Sequence, residues 1–446
     1  MIVLWTDGLI YFLVVAAAVL AVYMSRQAHM RRPLHKIAAS PVAMASLTLL
    51  LCFVMIGLAD SVHFKDGDSR GNEAISLLDV ACTTMRKHTE KTYSAPFSTH
   101  LYAKETIALD DGTTRWDYPR LQYGGAYLQN PEAEWAGDVF KKTLSAFSKG
   151  AGLLLMILLL AWGDKHEQRR RLSRSRSAIA VWVVMFVMVS GCYTLFSLSA
   201  YYHVLGTDKV GEDVFYQALK SIRTGLVIGS LTTMVMLPMA IVFGIMAGFF
   251  KGWVDDVIQF VYTTLNSIPS VLLIAASILM VQVYMSNHAE DFNNLLVRAD
   301  MRLLFLCLIL GVTSWTGLCR LLRAETLKLR EMEYVLAAQA LGVKPAMILF
   351  RHILPNVMHI VLISVVLDFS SLVLAEAVLS YINIGVDPTT HSWGNMINSA
   401  RLEMAREPIV WWSLAAAFVF MFALVLAANL FADSVRDAFD PRRANV

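Results

Sequence analysis

Charge is what this sequence has little of. Only 16% of its 446 residues are Asp, Glu, Lys or Arg, where a soluble chain carries about a quarter. With 57% hydrophobic residues and a positive mean hydropathy, an ordinary soluble domain is excluded. The net charge of +3 is too small to imply a nucleic-acid partner. Cysteine is scarce too. Of Cys52, Cys82, Cys192, Cys307 and Cys319, only Cys82 falls in a long polar stretch, so no disulfide framework is available there. There is no G-x-x-x-x-G-K-[ST] loop, so the chain has no such cradle for ATP phosphates. No Ala-x-Ala-like cleavage site follows the first apolar segment. "MSRQAHMRRPLHK" follows instead, which reads as the flank of a retained span rather than of a signal peptide. The histidines, among them His63, His88, His100, His166 and His203, lack metal-ligand spacing and read as solvated surface residues. No Ser/His/Asp or Cys/His grouping stands out.

What is present is a series of apolar runs near the bilayer-spanning length of about 20 residues. Nine candidate spans fall at about 3–24, 41–59, 146–162, 178–200, 222–249, 256–284, 301–319, 357–379 and 409–431. This is the pattern of an all-α polytopic membrane protein; a β-barrel would show short alternating segments instead. The third run, "GAGLLLMILLLAWG", is the weakest, because it is short and Lys149 sits at its outer end. Orientation follows from basic residues in short loops. Arg26, Arg31, Arg32 and Lys36 follow the first span, and Lys165, Arg169, Arg170, Arg171, Arg174 and Arg176 follow the third. Both loops are expected in the cytoplasm, with the N-terminus external and the C-terminal "DSVRDAFDPRRANV" cytoplasmic. The polar loop at about 60–145 then lies outside, as a small folded unit or a partly ordered cap.

One polar segment between two spans stands out: "EYVLAAQALGVKPAMILFRHILPN", Glu333 to Asn356. Its first half contains good helix formers and no β-branched residue in "AAQAL". Gly342 supplies the left-handed position that ends a helix, Pro345 suits the first turn of the next, and Leu354–Pro355 is expected to close it. The small residues Ala337, Ala338 and Ala340 leave one face shallow enough for another protein to pack closely. Elsewhere, Asp368 and Glu376 lie inside the eighth run, where carboxylates are costly and face a bundle interior or a water-filled path. They read either as part of a pathway or partner contact, or as a buried hydrogen-bonded structural pair. Pro269 is expected to kink or break the sixth span. The Gly225/Gly229 and Gly244/Gly248 spacings suit close helix packing.

The hairpin and its surroundings resemble a known family. "AAQALG…LP" is similar to the coupling loop of ABC-importer permeases, with its Glu-Ala-Ala-x-x-x-Gly…Leu-Pro motif. "HVLGTDKVGEDVFYQALKSIRTGLVIGS", "GFFKGWVDD", "LNSIPSVLL", "SWGNMI" and "VRDAFDPR" follow in the order of the dipeptide/oligopeptide/nickel permeases, nearest to the second-subunit type. The resemblance covers about residues 178–446. Leu336 stands where the motif has Glu, and His352 where it has Ile.

The resemblance implies a type I ABC-importer permease fold. A six-helix domain would occupy 178–446, with the coupling hairpin at about 331–356. Residues 1–177 would be an N-terminal extension with about three spans, although the hairpin at 146–200 is an alternative insertion. It further implies a bacterial inner-membrane subunit, itself no enzyme, that forms half of an import pathway for short peptides. Expected partners are a homologous permease, two cytoplasmic ATPase subunits that bind ATP and Mg, and an external solute-binding protein. The chain itself would need no cofactor or metal. Matching motif positions make Ala337, Ala338, Gly342, Leu354 and Pro355 the ATPase-coupling residues. The alternatives are import of nickel or another small solute, or an ion-driven secondary transporter using Asp368 and Glu376.

Overall fold

The computed structural model describes residues 4–26, 28–65, 74–108, 114–162, 176–288, 290 and 294–439. Helices α1 (Trp5–Arg26) and α2 (Ala28–Ala39) lead into α3 (Pro41–Ser61). A polar region follows, with β1 (His63–Lys65), β2 (Ala74–Ser76), α4 (Leu77–Ala81), α5 (Thr83–Lys87), β3 (Glu105–Ala108) and β4 (Thr114–Asp117). The long helices α6 (Pro131–Trp162), α7 (Arg176–Ser199) and α8 (Val214–Phe250) come next. Then come α9 (Gly252–Ser267), α10 (Ser270–Asn287), α11 (Leu295–Ser314) and α12 (Thr316–Arg330). The short pair α13 (Glu333–Ala340) and α14 (Pro345–Ile348) runs through a π-helical turn, Leu349–Ile353, into α15 (Leu354–Tyr381). Helices α16 (Trp393–Glu403) and α17 (Trp412–Phe439) complete the described chain.

All nine apolar runs fall on helices, and the chain is an all-α polytopic membrane protein. Among the described residues, six helical stretches are long and apolar enough to cross a bilayer: α3, α7, α8, α10, α17 and the continuous stretch from Pro345 to Tyr381. Pro269 breaks the sixth run as expected: the run is two helices, because Ile268 is extended and Pro269 caps α10; proline lacks the N–H and disfavours helical backbone in the residue before it. One expectation needs correction. Leu354–Pro355 does not end the second hairpin helix. Pro355 lies in the first turn of α15, and the wide turn before it carries a bond from Leu354 N–H to the Leu349 carbonyl. A wider turn lets a helix pass a residue that cannot donate. Lys165, Arg169, Arg170, Arg171, Arg174 and the last seven residues lie outside the described residues.

The chain forms two compact units, neither a continuous stretch of sequence. One comprises residues 38–224 and 391–427; the other comprises 4–37, 225–390 and the chain from 428 on. In the first, α3, α6 and α7 pack side by side. A Cβ on Gly150 would lie 3.0 Å from the Ser190 Cα. The polar region carries two antiparallel hairpins, β1–β2 and β3–β4.

Within this unit, buried charges hold the polar region to the start of α8. Asp79 forms a capping box with Ser76 at the start of α4 and takes the Lys220 ammonium at 2.8 Å. Burial opposes ionisation of Asp79, but Lys220 and hydrogen bonds from Ser76 and Tyr216 outweigh it and hold the carboxyl near pKa 2. Asp213 accepts the Phe215 N–H at 2.9 Å, capping α8, while its other oxygen lies 2.9 Å from His203 Nδ1. Glu90 sits on the opposite side, 3.5 Å from Nε2, and accepts N–H groups from Gln122 and Tyr123. His203 is therefore no solvated histidine. It is 3% exposed, and although burial disfavours the imidazolium, the two carboxylates raise its pKa to about 9.

In the second unit, α8 and α12 approach closely at two glycines. A Cβ on Gly244 would come within 2.8 Å of the Cys319 carbonyl, and one on Gly248 within 2.6 Å of Thr326 Cβ. Small residues let helix backbones meet at that distance. At the start of the chain, Thr6 on α1 donates its backbone N–H and its hydroxyl to Asp300 on α11.

Candidate functional site

The hairpin of the second unit is built by local rules. Helix α13 ends in a Schellman motif: Gly342 N–H donates to the Gln339 carbonyl at 3.0 Å and Val343 N–H to the Ala338 carbonyl at 3.1 Å. Gly342 has φ +72 and open space around its missing Cβ, so glycine is there for its backbone and not for room. Lys344 caps α14, Pro345 fills its first position, and the Lys344 carbonyl accepts from Met347 and Ile348.

One side of the hairpin is anchored. Val335, Ile348, Ile353 and Val357 are fully or almost fully buried, in one core with Leu322, Cys319 and Met236. Polar bonds reinforce the mounting. Arg330, at the end of α12, donates to the Phe249 carbonyl at 2.7 Å, in the last turn of α8. Arg323 grips Asp255 of α9 with two bonds of 2.6 Å, and this paired guanidinium holds the Asp255 carboxyl below its usual range against the effect of burial. Lys251 pairs with Glu331 at 3.0 Å on the surface.

The other side is exposed and apolar. Leu341 is 83% exposed and Phe350 72%, with Met347 and Leu336 about half exposed. The polar hairpin thus carries apolar side chains left largely exposed among the described residues, as on a surface that another protein covers. Of the motif positions, Ala337, Gly342 and Pro355 are exposed, Leu354 is partly buried against the core, and Ala338 is buried within it. Nothing in this arrangement resembles a reaction centre; its chemistry is that of a rigid, greasy protrusion.

The family of binding-protein-dependent transport system inner membrane components matches residues 240–445, which include the whole hairpin. An oligopeptide transport system permease protein of Mycobacterium tuberculosis is 30% identical over 288 residues, 61% of this chain and 92% of that protein. The chain belongs to this permease family. A dipeptide transport system permease protein of Lactococcus lactis is 30% identical over 240 residues, 54% of this chain and 64% of that protein. A glutathione transport system permease protein of Pectobacterium atrosepticum is 30% identical over 242 residues, covering 73% of that protein. The permease is a multi-pass inner-membrane transport component.

The two carboxylates of the permease's α15 are not a hydrogen-bonded pair. Eight residues apart, they lie about 12 Å from one another along the helix. Glu376 is buried and accepts a bond from Ser380 at 2.7 Å. Asp368 is half-buried, and its carboxyl has no hydrogen-bond or ionic partner among the described residues. The motif positions miss Leu341, Met347 and Phe350 because the motif records small residues and turn formers. The signal for them was large apolar side chains in an otherwise polar segment: Leu341 just before Gly342, and Met347 and Phe350 between Lys344 and Arg351. Arg330 and Phe249 were not legible as partners at all, being separated by 81 residues and joined through a backbone carbonyl.

Proposed function

We propose that this permease forms half of the transmembrane pathway of an ATP-driven importer of short peptides. Its hairpin would be the surface through which a cytoplasmic ATPase drives it. The observation that carries this reading is the exposed ridge of Leu341, Met347 and Phe350 on a segment whose other face is locked into the core. A protrusion rigid on one side and greasy on the other transmits the closure of a partner as a rigid-body movement. The names of the relatives, which specify oligopeptide, dipeptide and glutathione transport, point to peptides rather than to nickel. They also leave an ion-driven transporter built on Asp368 and Glu376 without support.

In this reading the hairpin and the C-terminus face the cytoplasm, and the N-terminus and the polar region between α3 and α6 face outward. A homologous permease completes the pathway, two ATPase subunits bind ATP and Mg, and an external binding protein delivers the peptide. Ala337, Gly342 and Pro355 meet the ATPase together with the exposed ridge, while Ala338 and Leu354 seat the hairpin. Asp368 then faces the pathway or the second permease.

The experiment is ATP hydrolysis by the co-expressed complex in lipid, with its binding protein and short peptides added. Stimulation by peptides that disappears on Leu341→Asp and Phe350→Asp supports the reading. A complex that hydrolyses ATP but ignores peptides removes the cargo assignment. Uptake by this chain alone, with no ATPase bound, overturns the reading entirely.

A further inference from the structure

Far along the chain from the hairpin, the first unit holds a cavity that the transport reading leaves unused. Trp116 of β4, Tyr118 just after it, Tyr93, residues 102–104 and the connection between α16 and α17 line a space of about 280 Å³. That is near the lower end of small-ligand sites, which run from about 300 Å³. Its frame is fixed. Tyr93 is buried and donates to Glu403 at 2.9 Å, and Tyr102 donates to the Ile409 carbonyl at 3.2 Å while meeting the Trp412 ring edge-on at 4.9 Å. Its mouth is aromatic and open: Trp116 is 66% exposed and Tyr118 42%. Neither belongs to a membrane-facing helix, and β4 is exposed along nearly its whole length.

The charges lining the cavity are the informative part. Lys104 holds its ammonium 5.3 Å from the Tyr118 ring centre, and the Arg406 guanidinium lies 4.8 Å from that of Tyr93. Neither forms a close ion pair among the described residues. Glu105 is paired with Lys91 and Asp117 with Arg115, while Glu403 takes the Tyr93 hydroxyl and attracts Arg406 only at longer range. The third charge, Glu407, lines the same cavity beside Arg406. Two cations stacked on aromatic rings, one carboxylate and two exposed aromatic faces complement a small zwitterion with apolar side chains.

We propose that this cavity is a capture site for a short free peptide, separate from the membrane pathway. The peptide's terminal carboxylate would lie between Lys104 and Arg406, its ammonium at Glu407, and its side chains on Trp116 and Tyr118. The proposal rests on the reading of the chain as a peptide permease whose polar region faces outward. It goes further in giving the permease its own contact with cargo, independent of a binding protein.

The test uses the full chain alone in lipid nanodiscs, labelled with 5-fluorotryptophan, the Trp116 resonance being assigned by Trp116→Phe. Tri-alanine is titrated against its C-terminal amide. The site requires a saturable shift of the Trp116 signal with tri-alanine. The amide, Lys104→Gln and Arg406→Gln should each weaken binding about tenfold, as loss of a charge-assisted bond does. Arg406→Lys should recover part of the affinity, unchanged resonances of the other tryptophans should show that Arg406→Gln is folded, and Lys141→Gln should leave binding unchanged. An absent shift, or equal binding of peptide and amide, overturns the proposal. So does a result in which Arg406→Gln spares tri-alanine binding but weakens association with the external binding protein, because the surface is then a protein contact. If the whole complex still shows peptide-stimulated ATP hydrolysis while the Trp116 signal is unmoved, the capture site falls and the peptide importer stands. If the complex ignores peptides, the importer reading fails on its own evidence.

Discussion

Arg330 and Phe249 join the helix that carries the hairpin to the 37-residue helix α8. The guanidinium at the end of α12 donates to a backbone carbonyl in the last turn of α8, at 2.7 Å. Terminal helix carbonyls have no partner within their own helix, so a cation there satisfies an orphan acceptor and complements the helix dipole. The bond ties the end of α12, on which the hairpin is mounted, to the last turn of α8.

Removing that bond should loosen the coupling more than the fold. Arg330→Met is expected to cost about 1.5–3 kcal/mol locally, the range for a hydrogen bond to a charged group. Transport per ATP hydrolysed should fall, with partial recovery in Arg330→Lys. Uptake and hydrolysis measured on the same proteoliposomes check this, and an unchanged ratio would sink the proposed linkage.

Gly342 should tolerate substitution according to backbone, not size. There is open space around its missing Cβ, but φ is +72. Gly342→Val is expected to strain the turn by about 1–3 kcal/mol and uncouple transport, whereas Gly342→Asn, which enters the left-handed region readily, should retain most activity. ATP-driven uptake by the two variants decides; wild-type uptake by the valine variant would refute the argument.

The exposed ridge should matter to association and not to stability. Leu341 and Phe350 are 83% and 72% exposed, so Leu341→Asp and Phe350→Asp should change folding stability by no more than about 0.5 kcal/mol. The amount of ATPase that co-purifies should drop sharply. Thermal unfolding and pull-down from the same preparation separate the two effects.

The His203 cluster predicts a stability loss on the alkaline side. Its folded pKa, about 9, lies above the ordinary value of 6.5. The stabilisation is therefore fully present below pH 6.5 and is lost as pH rises through about 9. The shift corresponds to roughly 3 kcal/mol at full strength. Asp79 has the opposite sign: held near 2, it contributes above its ordinary 3.8 and is lost as pH falls through about 2. Denaturation midpoints of wild type and His203→Gln between pH 6 and 10 should converge as pH rises; parallel curves would remove His203 from the account.

Much of the candidate site was legible in the sequence. Gly342 and Pro345 encode the turn of the hairpin because backbone conformation at glycine and proline is a local property. A span likewise needs only length and apolarity, and six of the described helical stretches meet both. His203 was misread because burial is not local: its carboxylates, Glu90 and Asp213, stand 113 and 10 positions away, and only folding brings them within 3.5 Å and 2.9 Å. Pro355 was misread because whether a proline ends a helix or is carried past by a widened turn depends on the core beneath it. Here Ile353 and Val357, both fully buried, hold the chain in place.

The sequence by itself determined the membrane class, the order of the apolar helices and the hairpin with its glycine turn, since each follows from composition, period and local backbone preference. The tertiary structure decided which hairpin side chains are anchored and which project, which glycines touch another helix, and which charges find a partner. Those outcomes depend on distances between residues remote in the chain, and no local preference specifies them.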